Sequence, residues 1–323
     1  MFKRIVWGDK ESMFVMLVGL PGSGKSTAAQ KIVETNKEYK CKIFSSDDYR
    51  FEILGDTNCQ TKNEKVFKAL YEDMKLWLQS GDDYAAIFDA TNISYKDRRR
   101  CLDNLRNVNT TKVAYVINTP IEICMEQDKN RDRTVGEEVI KKMVSRFDCP
   151  QLFEGFDNIY FLNTKNDEKK DWIEKEALIQ RMQNFDQKTP HHKFTLWEHC
   201  QNVKNQFELW DVRRVAAIWH DVGKLFTQTF DDKGVAHYYS HEHLSTYYLI
   251  SHLHLLGAQT TEAILQILFF INNHMHIRDI INSEKAIKKY KFLWGENLYN
   301  SLIEFMEADN KGAKERFSNA KNI

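Results

Sequence analysis

Residues Gly19–Thr27, GLPGSGKST, narrow the choice of fold more than any other stretch of this 323-residue chain. They fit the pattern G-x-x-x-x-G-K-[ST], with Gly19, Gly24, Lys25 and Ser26 in the fixed positions. The run before them, MFVMLVG over 13–19, is short and continuously apolar, as a parallel strand buried on both faces requires. Beyond Lys25 the apolar positions Ala28, Ala29, Ile32 and Val33 follow helical spacing. A strand, a glycine loop and a helix start together aim several backbone N–H groups at one anion. Gly22, Ser23, Gly24, Lys25, Ser26 and Thr27 are therefore the expected cradle for ATP or another NTP. Lys25 brings charge to the β- and γ-phosphates, and the Ser26 hydroxyl is placed to ligate Mg²⁺.

The same alternation continues to about residue 162. Apolar runs at 15–19, 42–45, 84–89, 112–118 and 159–162 read as strands. The segments 25–34, 64–80, 95–107, 121–129 and 137–146 read as helices. Strand–helix alternation at this spacing predicts an α/β domain, a parallel sheet with helices on both faces. From residue 191 onward the pattern is helical, over 196–210, 212–219, 240–256, 261–273, 283–292 and 296–308, and only 235–239 reads as extended. The expected organisation is a P-loop α/β domain over 1–165, a polar connecting helix over 166–190 ending at Pro190, and an all-α domain over 191–323. All 11 histidines fall at or after His191, so the two halves carry different chemistry.

Charge narrows the partners. Lys and Arg total 46, as do Asp and Glu, and residues 1–165 divide 26 to 25, so neither half is a basic block that grips long duplexes by charge alone. The six cysteines show no C-x-x-C spacing and read as free thiols in a reducing compartment. The first seven residues lack the apolar core of a signal peptide, and no apolar run reaches about 18 residues. The expectation is a cytoplasmic protein with no membrane partner.

Three further clusters fall where a parallel sheet presents its C-terminal edge, the side on which such sheets bind ligands. SSDDYR follows the second strand. Asp47 there can accept a proton from an attacking hydroxyl, and Arg50 can pair with an acceptor phosphate; equally, the segment reads as an N-cap and a turn of surface helix. FDATN ends the third strand, where Asp89 is a candidate Mg²⁺ ligand, and Thr91 and Asn92 are substrate contacts or caps of the next helix. Arg98, Arg99 and Arg100 read as a solvated helix face. NRDRTVGEEVI over 130–140 reads as a short basic lid whose arginines can swing onto a transferring phosphate.

GLPGSGKST, SSDDYR, FDATN and DRTVGEEVI together resemble the P-loop polynucleotide 5′-hydroxyl kinases of phage end-healing enzymes, over about residues 13–162. The resemblance implies Asp47 as general base, Arg50 as the acceptor-phosphate contact and Arg133 as the lid arginine. Gly136 departs from it, standing where that family often has proline or another residue. TKND over 164–167 matches a guanine-reading pattern, but no partner D-x-x-G occurs in the first half, and the match is read as chance.

In the second half, WHDVGK over 219–224 puts a His-Asp pair at a helix end, with Gly223 expected to terminate that helix. His199, His241, His274 and Asp309 stand in neighbouring helical segments. Asp309 is preferred to Asp279 for its Ala-Asp context. His243, His252, His254 and His276 read as surface or filler. The order H…HD…H…H…D resembles the HD phosphohydrolase superfamily, over about residues 191–310. That resemblance implies His199, His220, Asp221 and Asp309 as the main metal site, with His220 and Asp221 central to catalysis. It implies His241 and His274 as ligands of a second metal or of the phosphate, and Lys224 as a stabiliser of phosphate charge. Ligands of this kind without cysteine favour Mn²⁺, Fe²⁺, Co²⁺, Ni²⁺ or Zn²⁺.

The two resemblances together imply a bifunctional end-healing enzyme acting on single-stranded RNA or DNA ends. It would be an NTP- and Mg²⁺-dependent 5′-hydroxyl kinase joined to a 2′/3′-phosphatase that also opens 2′,3′-cyclic phosphates. A small-molecule kinase joined to a nucleotidase, and a nucleotide-sensing regulator, are the alternatives.

Overall fold

Six apolar residues, Met13–Val18, form strand β1, and all six side chains are buried because β1 is the central strand of a parallel sheet. The computed structural model describes residues 12–57, 59, 62–131, 133–162, 168–189, 193–258 and 260–314, with the backbone alone at 168–171. The chain divides into two units, Met1–Met143 with Pro150–Thr164, and Val144–Cys149 with Lys165–Ile323.

The first unit is built on five parallel strands, β1, β2 (Lys40–Ser45), β3 (Tyr84–Asp89), β4 (Thr111–Ile117) and β5 (Asn158–Leu162), in the order β2-β3-β1-β4-β5. Its helices are α1 (Lys25–Thr35), α2 (Ser46–Leu54), α3 (Asn63–Leu78), α4 (Tyr95–Asn104), α5 (Ile121–Lys129) and α6 (Glu137–Val144), with a 3₁₀ turn over Leu152–Glu154. Alternation along the strands divides the core. Met13, Val15, Leu17 and Ile87 pack with Ala29 and Ile32 of α1 on one face. Phe88, one residue on, meets Tyr71 and Phe67 of α3 edge-on from the other. Edge strand β2 begins two residues earlier than its apolar run predicts. Lys40 and Lys42 alternate outward along the exposed edge, so its start carries no apolar signal.

The order of strands places the ligand edge. β1 leads through α1 to β2 on one side, while its neighbour β4 leads to β5 on the other, which opens a crevice at the C-terminal ends of β1 and β4. The register pairs Ser45 with Asp89, so the ends of β2 and β3 lie side by side at that edge.

The second unit comprises α7 (Glu168–Gln183), α8 (Leu196–Lys204), α9 (Arg213–Trp219), α10 (Lys224–Thr227), the antiparallel hairpin β6 (Gln228–Phe230) and β7 (Ala236–Tyr238), α11 (His241–Ser251), a 3₁₀ turn over Leu253–Leu256, α12 (Thr261–Asn273), α13 (His276–Ile280), α14 (Glu284–Trp294) and α15 (Glu296–Gly312). Helix α12 is buried at Leu265, Ile267, Leu268, Phe269, Phe270 and Ile271, more than one stripe, because α9, α11, α13 and α15 all pack around it. Among the described residues no helix is long and apolar enough to cross a membrane.

Several boundaries differ from the sequence pattern, each for a local reason. Helix α8 stops at Lys204 rather than near 210. Nη1 of Arg214 donates to the carbonyls of Lys204 (3.3 Å) and Phe207 (2.7 Å), satisfying acceptors that a helix end leaves open. Helix α11 stops at Ser251, whose hydroxyl donates back to Tyr248 O at 2.9 Å, and a 3₁₀ turn follows. The stretch read as a connector belongs to the second unit: α7 packs against α8, buries Leu178 and Met182, and pairs Glu174 with His252 at 2.9 Å. Pro190 and the TKND segment lie outside the described residues.

Candidate functional site

In the first unit the phosphate loop runs from β1 into α1. Gly24 caps α1 with φ 91°, a left-handed conformation that a residue with a side chain would adopt only under strain. The Lys25 ammonium donates to Leu20 O at 2.7 Å. Burial lowers its pKa from the ordinary lysine value, against the pull of the nearby Asp89 carboxylate. The Ser26 hydroxyl donates to Asp89 Oδ2 at 2.7 Å, so the two candidate Mg²⁺ ligands, 63 residues apart in sequence, are in contact.

Asp47 lies in the first turn of α2, whose N-cap is Ser45. The segment is a capped helix start, and it follows β2 at the ligand edge of the sheet. Asp47 Oδ1 receives Nη1 of Arg50 and Nη1 of Arg133, each at 2.8 Å. Arg50 is buried and also donates to Asn63 Oδ1 at 2.8 Å. The segment carrying Arg133 is pinned by Asp128, whose Oδ2 accepts the backbone N–H groups of Val135 (2.9 Å) and Gly136 (3.0 Å). Gly136 adopts φ 89°, which proline cannot reach, so this chain's departure from the resembled family at 136 follows from its own turn.

Three sequence expectations around this edge are corrected. Asn92 is buried at φ 48°, and its amide donates to Leu17 O (2.8 Å) and Ala90 O (3.3 Å), so its donors hold the loop rather than face a ligand. The cap of α4 is Ser94, not Thr91 or Asn92, while the Thr91 carbonyl accepts the N–H of Gly19 at 3.0 Å. Arg98, read as part of a solvated face, is fully buried in a two-armed pair with Glu154, both arms 2.8 Å, and donates to Asn92 O at 3.1 Å. Its position on the buried face of α4, with Cys101 and Leu102, decides this.

In the second unit His199 (α8), His220 and Asp221 (after α9) and Asp309 (α15) converge. His199 Nε2 lies 3.2 Å from His220 Nε2, 3.4 Å from Asp221 Oδ2 and 3.1 Å from Asp309 Oδ1. His220 Nε2 is 3.3 and 3.5 Å from the same two oxygens. The other oxygen of Asp221, Oδ1, faces His241 Nε2 at 3.0 Å and His274 Nε2 at 3.6 Å, and these two imidazoles are 3.1 Å apart. Asp221 thus offers one oxygen to each of two ligand groups. Donor atoms bound to one ion at about 2.0–2.2 Å stand about 2.8–3.6 Å from each other in tetrahedral or octahedral geometry, which is the spacing of both groups. The Nδ1 atoms of His220, His241 and His274 contact the carbonyls of Ala217 (2.8 Å), Tyr238 (2.7 Å) and Ile271 (2.8 Å). A proton held at Nδ1 by such a contact leaves Nε2 as a lone pair facing inward, the orientation of a metal-ligating histidine. The residues fit a pair of divalent ions.

Electrostatics agree. Burial opposes charge on Asp221 and Asp309, but the facing imidazoles, and Lys224 beside Asp221, outweigh it and hold both carboxyls well below the ordinary range. Burial likewise opposes charge on His220, yet Asp221 above all holds that imidazole well above its ordinary value. Burial lowers His274, farther from the second carboxylate. The pair of carboxylates stabilises positive charge in its midst, which a metal ion supplies in place of a proton.

Lys224 donates to Asp221 Oδ2 at 2.7 Å and to Gln187 at 3.0 Å. Arg278, which no sequence signal marked, holds Asp309 Oδ2 at 2.7 Å and so turns Oδ1 toward the imidazoles. Gly223 does not end its helix through a left-handed turn; its φ is −60°. It is required because a Cβ there would stand 2.2 Å from His241 O, where α11 crosses close to bring in its ligand.

Sheet order and phosphate loop define a P-loop kinase-like fold for the first unit, followed by a helical unit. Residues 14–150 match the family model AAA_33, described as an AAA domain. Such a domain implies a nucleotide with Mg²⁺. Similar proteins include a probable 6-phosphofructo-2-kinase of Schizosaccharomyces pombe, 29% identical over 114 residues (31% of this chain, 19% of that protein). An L-seryl-tRNA(Sec) kinase of Methanococcus maripaludis is 26% identical over 153 residues (43% of this chain, 53% of that protein). This chain thus spans less than two thirds of either relative. Among solved structures, the Pnkp1/Rnl/Hen1 RNA repair complex aligns at 22% identity over 45% of this chain and 46% of that one, with a TM-score of 0.38.

Proposed function

We propose that the chain is a bifunctional nucleic-acid end-healing enzyme that phosphorylates a 5′-hydroxyl with NTP and removes a 2′- or 3′-phosphate, RNA being the first substrate to test. The observation that carries this reading is the Asp221 carboxylate, shared by two ligand groups, in a chain whose other unit joins Ser26 to Asp89 beside a phosphate loop. Cleaved RNA carries both end lesions, so one chain holding both chemistries prepares it for ligation.

In the kinase unit, Lys25 neutralises the β- and γ-phosphates while Ser26 and Asp89 hold the Mg²⁺ of the nucleotide. Asp47 takes the proton of the acceptor hydroxyl. Arg50 and Arg133 both rest on Asp47 in the present conformation. An acceptor phosphate draws off Arg50 and the transferring phosphate draws off Arg133, freeing the base as the substrates arrive. In the helical unit, His199, His220, Asp221 and Asp309 hold one divalent ion, and Asp221, His241 and His274 a second. Bound metal there supplies Lewis acidity toward a phosphate ester. Lys224 and Arg278 keep the two carboxylates charged and aimed.

The name of the first relative favours a second reading, a kinase of a small phosphorylated acceptor. One experiment decides. The protein is incubated with ATP, Mg²⁺, Mn²⁺ and an oligoribonucleotide carrying a 5′-hydroxyl and a 3′-phosphate, with a nucleoside and its 3′-phosphate in parallel, and both ends are read. Gain of a 5′-phosphate and loss of the 3′-phosphate support the proposal. Equal kcat/KM for the nucleoside and its 3′-phosphate, with no oligonucleotide product, overturns it in favour of the small-molecule kinase.

A further inference from the structure

The β6–β7 hairpin stands directly before the helix that supplies His241. Its register pairs Gln228 with Tyr238, Thr229 with His237 and Phe230 with Ala236. Alternation along β7 turns Ala236 and Tyr238 one way and His237 the other, and Tyr239 follows in the turn before α11. The inner side is anchored. Ala236 is buried, the Tyr238 hydroxyl donates to Gln187 O, and the Tyr238 ring lies under the Lys224 ammonium, 5.4 Å from its centroid. Ser240 then takes φ 59°, ψ 25°, a left-handed conformation uncommon for serine, and α11 begins with His241. The backbone that delivers the metal ligand therefore carries Tyr239 two residues earlier, at most about 7 Å along the chain.

The outer side is a pair of rings. Tyr239 is 73% exposed and lies parallel to His237, with centroids 5.6 Å apart and planes 4° apart. Asp231 Oδ2 holds His237 Nε2 at 3.3 Å, fixing the second ring. The connecting turn carries Asp231, Asp232 and Lys233, so the hairpin offers aromatic faces rather than a cationic grip on phosphate. Parallel exposed rings of this kind suit a flat, uncharged aromatic group, as in proteins that bind single strands by stacking bases.

We propose that His237 and Tyr239 form a stacking platform for the nucleobase adjoining the phosphate presented to the Asp221-centred ligand groups. The proposal rests on the reading of the helical unit as a hydrolase of nucleic-acid end phosphates. It makes the enzyme prefer a phosphate next to a base over one on an isolated sugar.

The test uses the full chain and a short oligoribonucleotide with 5-iodouridine as its 3′-terminal residue and a 3′-phosphate. Ultraviolet cross-linking and peptide mapping place the base, and fluorescence anisotropy of a labelled copy gives affinity. Neither readout needs turnover, and removal of the 3′-phosphate is scored separately. The expected result is an adduct on Tyr239 or His237, and binding weakened roughly five- to a hundredfold by Tyr239→Ala but restored by Tyr239→Trp, as for the loss of one base–aromatic stack. An adduct there without phosphate removal supports the platform and overturns the hydrolase reading. Phosphate removal with adducts only elsewhere, and unchanged affinity in Tyr239→Ala, overturns the platform alone. No adduct and no phosphate removal overturns both.

Discussion

Glu154→Ala is the perturbation whose size follows most directly from the geometry. Arg98 is 0% exposed and Glu154 1% exposed, joined by two contacts of 2.8 Å. Removing the carboxylate leaves a guanidinium charge in the interior without its counter-ion, a loss of about 3–5 kcal/mol. At about 2–4 °C per kcal/mol for a unit of this size, the melting transition of the first unit falls by about 6–20 °C. The effect reaches the phosphate loop. Arg98 holds Asn92 O, Asn92 holds Leu17 O, and Thr91 O holds the N–H of Gly19, so MgATP affinity falls as well. Calorimetry of the full chain measures this, with the first unit's transition identified by its upward shift on adding MgATP. Arg98→Met combined with Glu154→Leu recovers most of the lost stability, since an apolar pair of similar volume replaces a buried ion pair at little cost. A fall below about 2 °C in Glu154→Ala, the size expected of an exposed pair, refutes the argument.

Asp47→Asn lowers the kinase kcat by about 10²-fold or more while MgATP affinity holds; a near-normal kcat removes Asp47 from the role of base. Metal content by mass spectrometry separates the ligand groups: two ions in the wild type, one retained in His199→Ala and in His241→Ala, and none in Asp221→Asn, whose carboxylate serves both. Retention of an ion in Asp221→Asn counts against the shared carboxylate. Burial pushes the Cys41 thiol up to about 11, with Glu38 adding to the shift. An acid with a raised pKa stays protonated up to a higher pH, so at pH 8 about one Cys41 in a thousand is thiolate. Its alkylation by iodoacetamide is slow there and rises about tenfold per pH unit up to about 11; a rate that levels off near pH 8.5 contradicts this.

Local, contiguous signals were legible without a structure. A phosphate loop is nine residues long, and the strand before it and the helix after it announce themselves by period, so β1, α1 and the candidate roles of Lys25 and Ser26 follow from spacing alone. Helices α5 and α12 match their patterns end to end. The histidine-free first half and the histidine-rich second half already separate two chemistries.

What remained was decided by contacts between distant residues. Helix ends moved where a side chain from elsewhere met the open carbonyls, as Arg214 does for α8. Arg98 looks like any surface arginine until Glu154, 56 residues away, is placed against it. Gly223 reads as a helix stop, yet its lack of a side chain serves the crossing of α11, which no local pattern records. The HD resemblance implies six metal-ligand candidates and sets His241 and His274 apart as ligands of a second metal or of the phosphate, but it does not give the division of the Asp221 oxygens between the two groups. That division depends on which oxygen of Asp221 each imidazole faces, and so on how α8, α11, α12 and α15 pack around the turn after α9. Sequence sets which atoms can act as donors; only the packing of helices far apart in the chain sets the few ångströms between them, and coordination chemistry turns on those distances.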